Sequence, residues 1–258
     1  MSVDYRLEGE VGIVTLARPE KFNSVSAELS RELIEAIARA STEARAMILT
    51  GQGKAFCAGA DLADLMADYE TGGPDLATVI DERFNPMVSA LIAAPIPTIA
   101  AVNGVAAGAG LGLALACDLR VMSTQAFFLS AFISLALIPD TGSTWWLVHH
   151  LGLSRAIEFT STNRRMAAAE AATLGLARVV EPEALMSQSL EVGTSFAAGP
   201  TSAYVANRKI LLEAGTHNLS GALEAERVKQ GELGTAAAHL EGMRAFLEKR
   251  APDFRSIQ

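Results

Sequence analysis

The stretch Ala101-Val102-Asn103-Gly104-Val105-Ala106-Ala107-Gly108-Ala109-Gly110-Leu111-Gly112 decides how this chain folds. An apolar run from Pro97 to Val102 leads into it, and a helix of small residues is expected over 109–116. Upstream, Gly51-Gln52-Gly53-Lys54-Ala55-Phe56-Cys57-Ala58-Gly59-Ala60-Asp61-Leu62 repeats the plan after a short apolar strand at 46–50. Small side chains let a ligand approach the backbone closely. A helix that starts at such a turn offers free N–H groups and a positive dipole end. Taken singly, each turn reads as tight packing; side by side, the two would make an oxyanion hole. The Gly108–Gly112 text can also be forced into a dinucleotide fingerprint, but no βαβ unit with a later acid follows it.

From Phe84 to Pro139 the only charged side chains are Asp118 and Arg120. So long an uncharged run invites a membrane span. Pro86, Pro95, Pro97 and the glycines at 104, 108, 110 and 112 would break such a helix, so a buried strand–turn–helix core is expected instead. Around it, residues 3–8 and 11–17 read as a hairpin. Ser26 caps an expected helix at 27–40, and a second long helix is expected at 76–93. Short strands at 118–122 and 126–129 precede a helical remainder: 141–150, 153–161, 167–174, 182–198, 201–214, 219–231 and 235–249. The class is α/β, with a core domain over 1–200 and a helical C-terminal region over 201–258.

The chain has 258 residues, half of them hydrophobic and 19% charged, which excludes a disordered protein. A net charge of −8 argues against nucleic-acid binding. Cys57 and Cys117 cannot build a disulfide framework, and no acid or histidine cluster has metal-ligand spacing, so no metal is expected. The first residues lack the plan of a signal peptide. A cytoplasmic protein without membrane partners is the expectation.

The two turns together, Ala55–Leu62 and Ala100–Gly110, resemble those of the crotonase superfamily, the enoyl-CoA hydratases and isomerases. The likeness continues in Ala17-Arg18-Pro19-Glu20-Lys21-Phe22-Asn23-Ser24, in Leu137-Ile138-Pro139-Asp140-Thr141-Gly142-Ser143-Thr144-Trp145 and in the segment from Glu241 to Phe254. Within the family it closely resembles the ring-1,2-epoxyphenylacetyl-CoA isomerases, although Ser143 stands where glycine is usual and Trp146-Leu147-Val148-His149-His150 diverges. The resemblance implies a crotonase-type ββα spiral core and an acyl-CoA substrate of fatty or aromatic acid degradation. Coenzyme A is then part of the substrate, with no separate cofactor. The thioester oxygen is expected between the backbone N–H groups of Ala60 and Ala109. Arg18, Lys21, Ala58, Asp61, Leu62, Phe246 and Lys249 are the implied CoA-binding positions, the last two often reaching a neighbouring subunit. A homotrimer or homohexamer, assembled partly through residues 201–258, is implied as well.

The departures matter most. Hydratases of this family use two glutamates on water, and the corresponding positions here are Gly112 and Phe132. Neither residue exchanges protons, and a general acid–base step is worth about 10²–10⁴-fold. Asp140 is the acid that remains nearby. By spacing alone it reads as a helix N-cap; by resemblance it is the catalytic base. An isomerase needs only one such carboxylate, because a 1,3-shift gains and loses the same proton. An apolar surrounding should raise its pKa. Three other readings stay open: an enoyl-CoA hydratase (a lyase) with an atypical acid, an aryl dehalogenase, or an acyl-CoA binder without turnover. The dehalogenase reading wants a histidine between the two turns, but His149, His150, His217 and His239 all follow Asp140. His149 and His150 are expected to be surface or packing residues, and Cys57 and Cys117 small packing residues.

Overall fold

The computed structural model describes residues 1–69 and 72–257. Among these residues ten strands form two sheets: β1 (Val3–Glu8), β2 (Val11–Leu16), β3 (Ala46–Gly51), β4 (Ala55–Cys57), β5 (Thr98–Val102), β6 (Val105–Ala107), β7 (Leu119–Ser123), β8 (Phe127–Leu129), β9 (Arg165–Ala167) and β10 (Arg178–Val180). The larger sheet has the order β1-β2-β3-β5-β7-β10, and the smaller the order β4-β6-β8-β9. The β1–β2 hairpin is antiparallel; β2, β3, β5, β7 and β10 run parallel.

Those orders describe a spiral. Three successive units, β3–β4, β5–β6 and β7–β8, each put their first strand in the large sheet and their second in the small one, then leave through a helix. Each turn of the chain therefore advances both sheets by one strand. Strands β3 and β5 are buried along their whole length, as parallel strands covered on both faces must be. This accounts for the uncharged run. It is split into the helix Asn85–Ala93, strands β5 and β6, and the helix Ala109–Ala116, whose eight residues are all buried. No helix among the described residues is long and apolar enough to cross a membrane.

The helix Ala27–Glu43 follows its expected pattern. Leu29, Leu33, Ala36, Ile37 and Ala40 are buried along one face, and the Ser26 hydroxyl accepts the Leu29 N–H at 3.2 Å. The long helix expected at 76–93 is continuous but carries a π-helical turn at Ile80–Phe84, just before Pro86. Proline lacks an N–H and crowds the preceding turn, so the ladder loosens there.

Several boundaries differ from the sequence expectation. Strands β4, β6, β9 and β10 have three residues each, too few to show alternation, and the helix Leu62–Tyr69 was not anticipated. The helix expected from 141 starts at Ser143, because Thr141 and Gly142 take left-handed conformations. After residue 200 the helices Thr201–Ala214 and Leu219–Gly234 have no buried residue, and Leu211, Leu219 and Leu223 stand exposed. Arg208 ties that region to the core, donating to Asp118 at 2.9 Å and to the carbonyl of Ala94.

Candidate active site

Pairing of β4 with β6 (Ala55↔Val105 and Cys57↔Ala106) sets the two small-residue turns beside each other. Gly59 and Gly108 take positive φ, +96° and +53°, just before Ala60 and Ala109. They pack so closely that a Cβ on Gly59 would lie 2.9 Å from the Ala107 oxygen and 3.5 Å from the Ala109 nitrogen. A side chain at 59 would thus intrude on the second donor.

Each donor is free for a geometric reason. Val25 forms a single bridge with Ala60: its N–H donates to the Gly59 oxygen and its oxygen accepts from the Asp61 N–H. That pattern leaves the Ala60 N–H out. Ala109 opens a helix, where N–H groups have no intrahelical acceptor. Among the described residues neither N–H has an acceptor. Gly108, not Ala109, takes the positive φ, so alanine at the second donor position carries no backbone penalty.

The segment from Arg18 to Asn23 braces the first turn. Asn23 is fully buried; it accepts the Arg18 N–H and donates to the carbonyls of Gln52 and Ala55. The Ala58 N–H donates to the Phe22 carbonyl at 3.0 Å. Arg18 and Asp61 meet as an ion pair at 2.8 Å, and Arg18 also donates to the Ser24 carbonyl. Burial works to raise the Asp61 carboxyl. The Arg18 hydrogen bond, a backbone bond and nearby Lys21 outweigh it and hold the group below its ordinary value. Arg18 and Asp61 therefore bind each other, while Lys21 and Leu62 stand exposed beside the turn. Phe246 and Lys249 are exposed at the end of the helix Ala237–Glu248, with no hydrogen bond to the Ala58–Leu62 turn among the described residues.

The Asp140 loop lies against the first turn of the helix that begins at Ala109. A Cβ on Gly112 would fall 2.4 Å from the Thr141 oxygen and 2.8 Å from its Cβ, so the room a side chain at 112 would need is filled by Thr141. The Phe132 ring approaches to 3.8 Å of the Cβ position of Gly108 and is itself buried. The two positions that would hold the hydratase glutamates are thus occupied by packing atoms.

Asp140 does not cap the helix Ser143–Leu151. Gly142 holds the N-cap position, and only the Asp140 backbone oxygen reaches the helix, accepting the Ser143 N–H at 2.9 Å. The carboxylate instead accepts the Thr141 hydroxyl at 2.6 Å. Burial pushes the Asp140 carboxyl above its ordinary value, and that hydroxyl pulls the other way. Thr141 was not singled out in the sequence; its place between Asp140 and Gly142 was the one available signal.

Other groups stay out of the chemistry. Burial pushes the Cys57 and Cys117 thiols up to about 12, so both remain inert packing residues. His149 stacks on Trp145 at 3.7 Å and meets the Trp145 carbonyl through Nδ1. His150 is held down to about 4 by burial, Arg120 and His149.

Comparison with known proteins identifies the family. The profile of the family described as Enoyl-CoA hydratase/isomerase matches residues 6–257. The chain is 39% identical over 254 residues to "Probable enoyl-CoA hydratase" of Rhodobacter capsulatus, covering 98% of this chain and 97% of that one. It is 37% identical over 251 residues to the 1,2-epoxyphenylacetyl-CoA isomerase of Escherichia coli, covering 96% of each. An enoyl-CoA hydratase structure from Polaromonas sp. JS666 superposes with a TM-score of 0.92 at 32% identity, covering 97% of this chain and 98% of that one. This likeness along nearly the whole chain shows that the protein belongs to the enoyl-CoA hydratase/isomerase family, enzymes that act on CoA thioesters.

Proposed function

We propose that this chain is a CoA-thioester isomerase that uses Asp140 as its single proton-carrying base. The observation that carries this reading is that Thr141, the neighbour and hydrogen-bond partner of Asp140, fills position 112 in the first turn of the helix that Ala109 opens. The thioester oxygen sits between the N–H groups of Ala60 and Ala109. Asp140 removes a proton from the acyl chain, and the electron pair moves to the thioester oxygen as an enolate. Each fixed donor supports that charge by about 3–4 kcal/mol. The protonated Asp140 then returns the proton to another carbon, shifting a double bond, or to the oxygen of an opening ring epoxide. Lys21 and the Ala58–Leu62 backbone serve the CoA moiety, with Arg18 and Asp61 as the pair that shapes that turn. Phe246 and Lys249 reach CoA from a neighbouring subunit of a homotrimer or homohexamer.

A hydratase is the second reading, favoured by the name of the Rhodobacter capsulatus relative. The two differ in the source of oxygen. A screen over 3-enoyl-CoA, 2-enoyl-CoA and epoxyphenylacetyl-CoA in ¹⁸O-labelled water separates them. Unlabelled, isomerised product that vanishes with Asp140→Asn supports the isomerase. Labelled 3-hydroxyacyl-CoA from the wild type refutes it, and tight binding with no product identifies an acyl-CoA binder.

A further inference from the structure

Beside the Asp140 loop lies an apolar cleft of about 210 Å³, lined by Val88, Ile92, Gly142, Trp145, Trp146 and Leu212. Gly142, two residues after Asp140, lines this cleft, so it adjoins the Asp140 loop. A second cleft of about 320 Å³ shares Ile92, Trp146 and Leu212 with it. Residues that border both spaces form the wall between them. Trp146 is the largest of the three. Its Nε1 lies 3.4 Å from the Cβ position of Gly142, so the indole rests against the glycine that follows Thr141. Trp145 holds it edge-on, with ring centroids 4.5 Å apart at 89°.

The distal cleft can take an apolar tail. Its charged residues are already engaged: Arg208 with Asp118, and Arg120 with the carbonyls of Leu115, Cys117 and Leu176. His150, also on its wall, is uncharged at neutral pH. Pockets that bury a whole drug-sized ligand span about 300–1,000 Å³. The proximal cleft alone falls below that range, and the two joined fall within it.

We propose that Trp146 is the specificity-determining residue of the acyl site: it closes the proximal cleft over a compact acyl group, a ring or a short chain, and shuts medium straight chains out of the distal one. This rests on the acyl-CoA reading above, and the test uses binding so that it does not depend on isomerase chemistry. Dissociation constants are measured by calorimetry for unreactive phenylacetyl-, butanoyl-, hexanoyl-, octanoyl- and decanoyl-CoA. The proteins are wild type, Trp146→Leu, Trp146→Ala, and Trp146→Ala combined with His150→Trp. A buried methylene is worth about fourfold in affinity, so opening the wall should shift the decanoyl-to-phenylacetyl ratio at least tenfold towards decanoyl-CoA. His150→Trp, which refills the distal cleft, should reverse that shift. Wild type that already prefers decanoyl-CoA, a ratio unmoved in both Trp146 variants, or a shift that survives His150→Trp overturns the assignment. Absence of binding to every thioester by the wild type overturns the acyl-CoA reading itself. Binding with the expected ladder but no turnover removes only the isomerase reading.

Discussion

Gly112→Ala is the most direct probe of how the site is built. The added Cβ would lie 2.4 Å from the Thr141 oxygen, where ordinary contact begins at 3.4 Å, so Thr141 must retreat by about 1 Å. Overpacking of this kind costs about 1–3 kcal/mol. Alanine returns up to about 1 kcal/mol of helix propensity. The net loss is roughly 0–2 kcal/mol, or a fall in Tm of up to about 8 °C for a protein of this size. Gly231→Ala supplies the control, because position 231 is helical and a Cβ there meets nothing within 4 Å. That variant should gain about 0.5–1 kcal/mol. Differential scanning calorimetry should therefore move the two variants apart. Turnover is the second readout: misplacing a reacting group by about 1 Å can cost about 10²-fold, and Asp140 adjoins the displaced residue. If Gly112→Ala melts like Gly231→Ala and keeps full turnover, Thr141 does not fill position 112.

Four further outcomes are expected. Asp140→Asn should lower kcat by about 10²–10⁴-fold with KM changed little, as steady-state assays would show. The same variant should be the more stable protein at neutral pH. The folded carboxyl is raised by burial, so its favourable contribution is complete below the unfolded value of about 3.9 and is lost as pH rises through the folded value. Equal melting temperatures for the two proteins at pH 7 would contradict this sign. Thr141→Val removes the hydroxyl that holds the Asp140 pKa down, so the acidic limb of the kcat profile should move to higher pH, whereas Thr141→Ser should leave it in place. Arg120→Met leaves the buried carbonyls of Leu115, Cys117 and Leu176 without their donor; at about 1–3 kcal/mol each, the loss in urea unfolding should exceed about 3 kcal/mol.

The order of elements was legible because apolar runs and small-residue turns carry their own signals. The hairpin, the Ser26-capped helix and the buried strand leading to Gly104 lie where the pattern puts them. The two-sheet spiral was not legible from residues alone. Its second strands are three residues long, and only their pairing shows that each unit contributes to both sheets. The donors at Ala60 and Ala109 were reached by resemblance; the reason they are free, a one-residue bridge and a helix start, is a property of the folded backbone. Spacing also misread Asp140 as a cap, because it could not anticipate that Thr141 and Gly142 would both turn left-handed and delay the helix to Ser143.

That delay joins features that look separate in the sequence. Thr141 sits at φ 54°, a conformation that costs a β-branched residue about 1–3 kcal/mol. A strain of that size persists when the surroundings depend on it, and here they do so twice. The Thr141 backbone and side chain occupy the space next to Gly112, and its hydroxyl bonds to the Asp140 carboxylate. Relaxing Thr141 would open room for a side chain at 112 but would release the hydrogen bond that sets Asp140. Keeping it fixes Asp140 and forbids any acid at 112. A glycine at 112, a strained threonine at 141 and the aspartate at 140 are therefore one arrangement. The scarcity of charge between Phe84 and Pro139 follows from it together with the burial of β5, β6 and the helix Ala109–Ala116. Packing by Thr141 excludes a carboxylate at position 112, and that exclusion is what the proposed reaction, in which one proton leaves and returns through a single group, requires of the site.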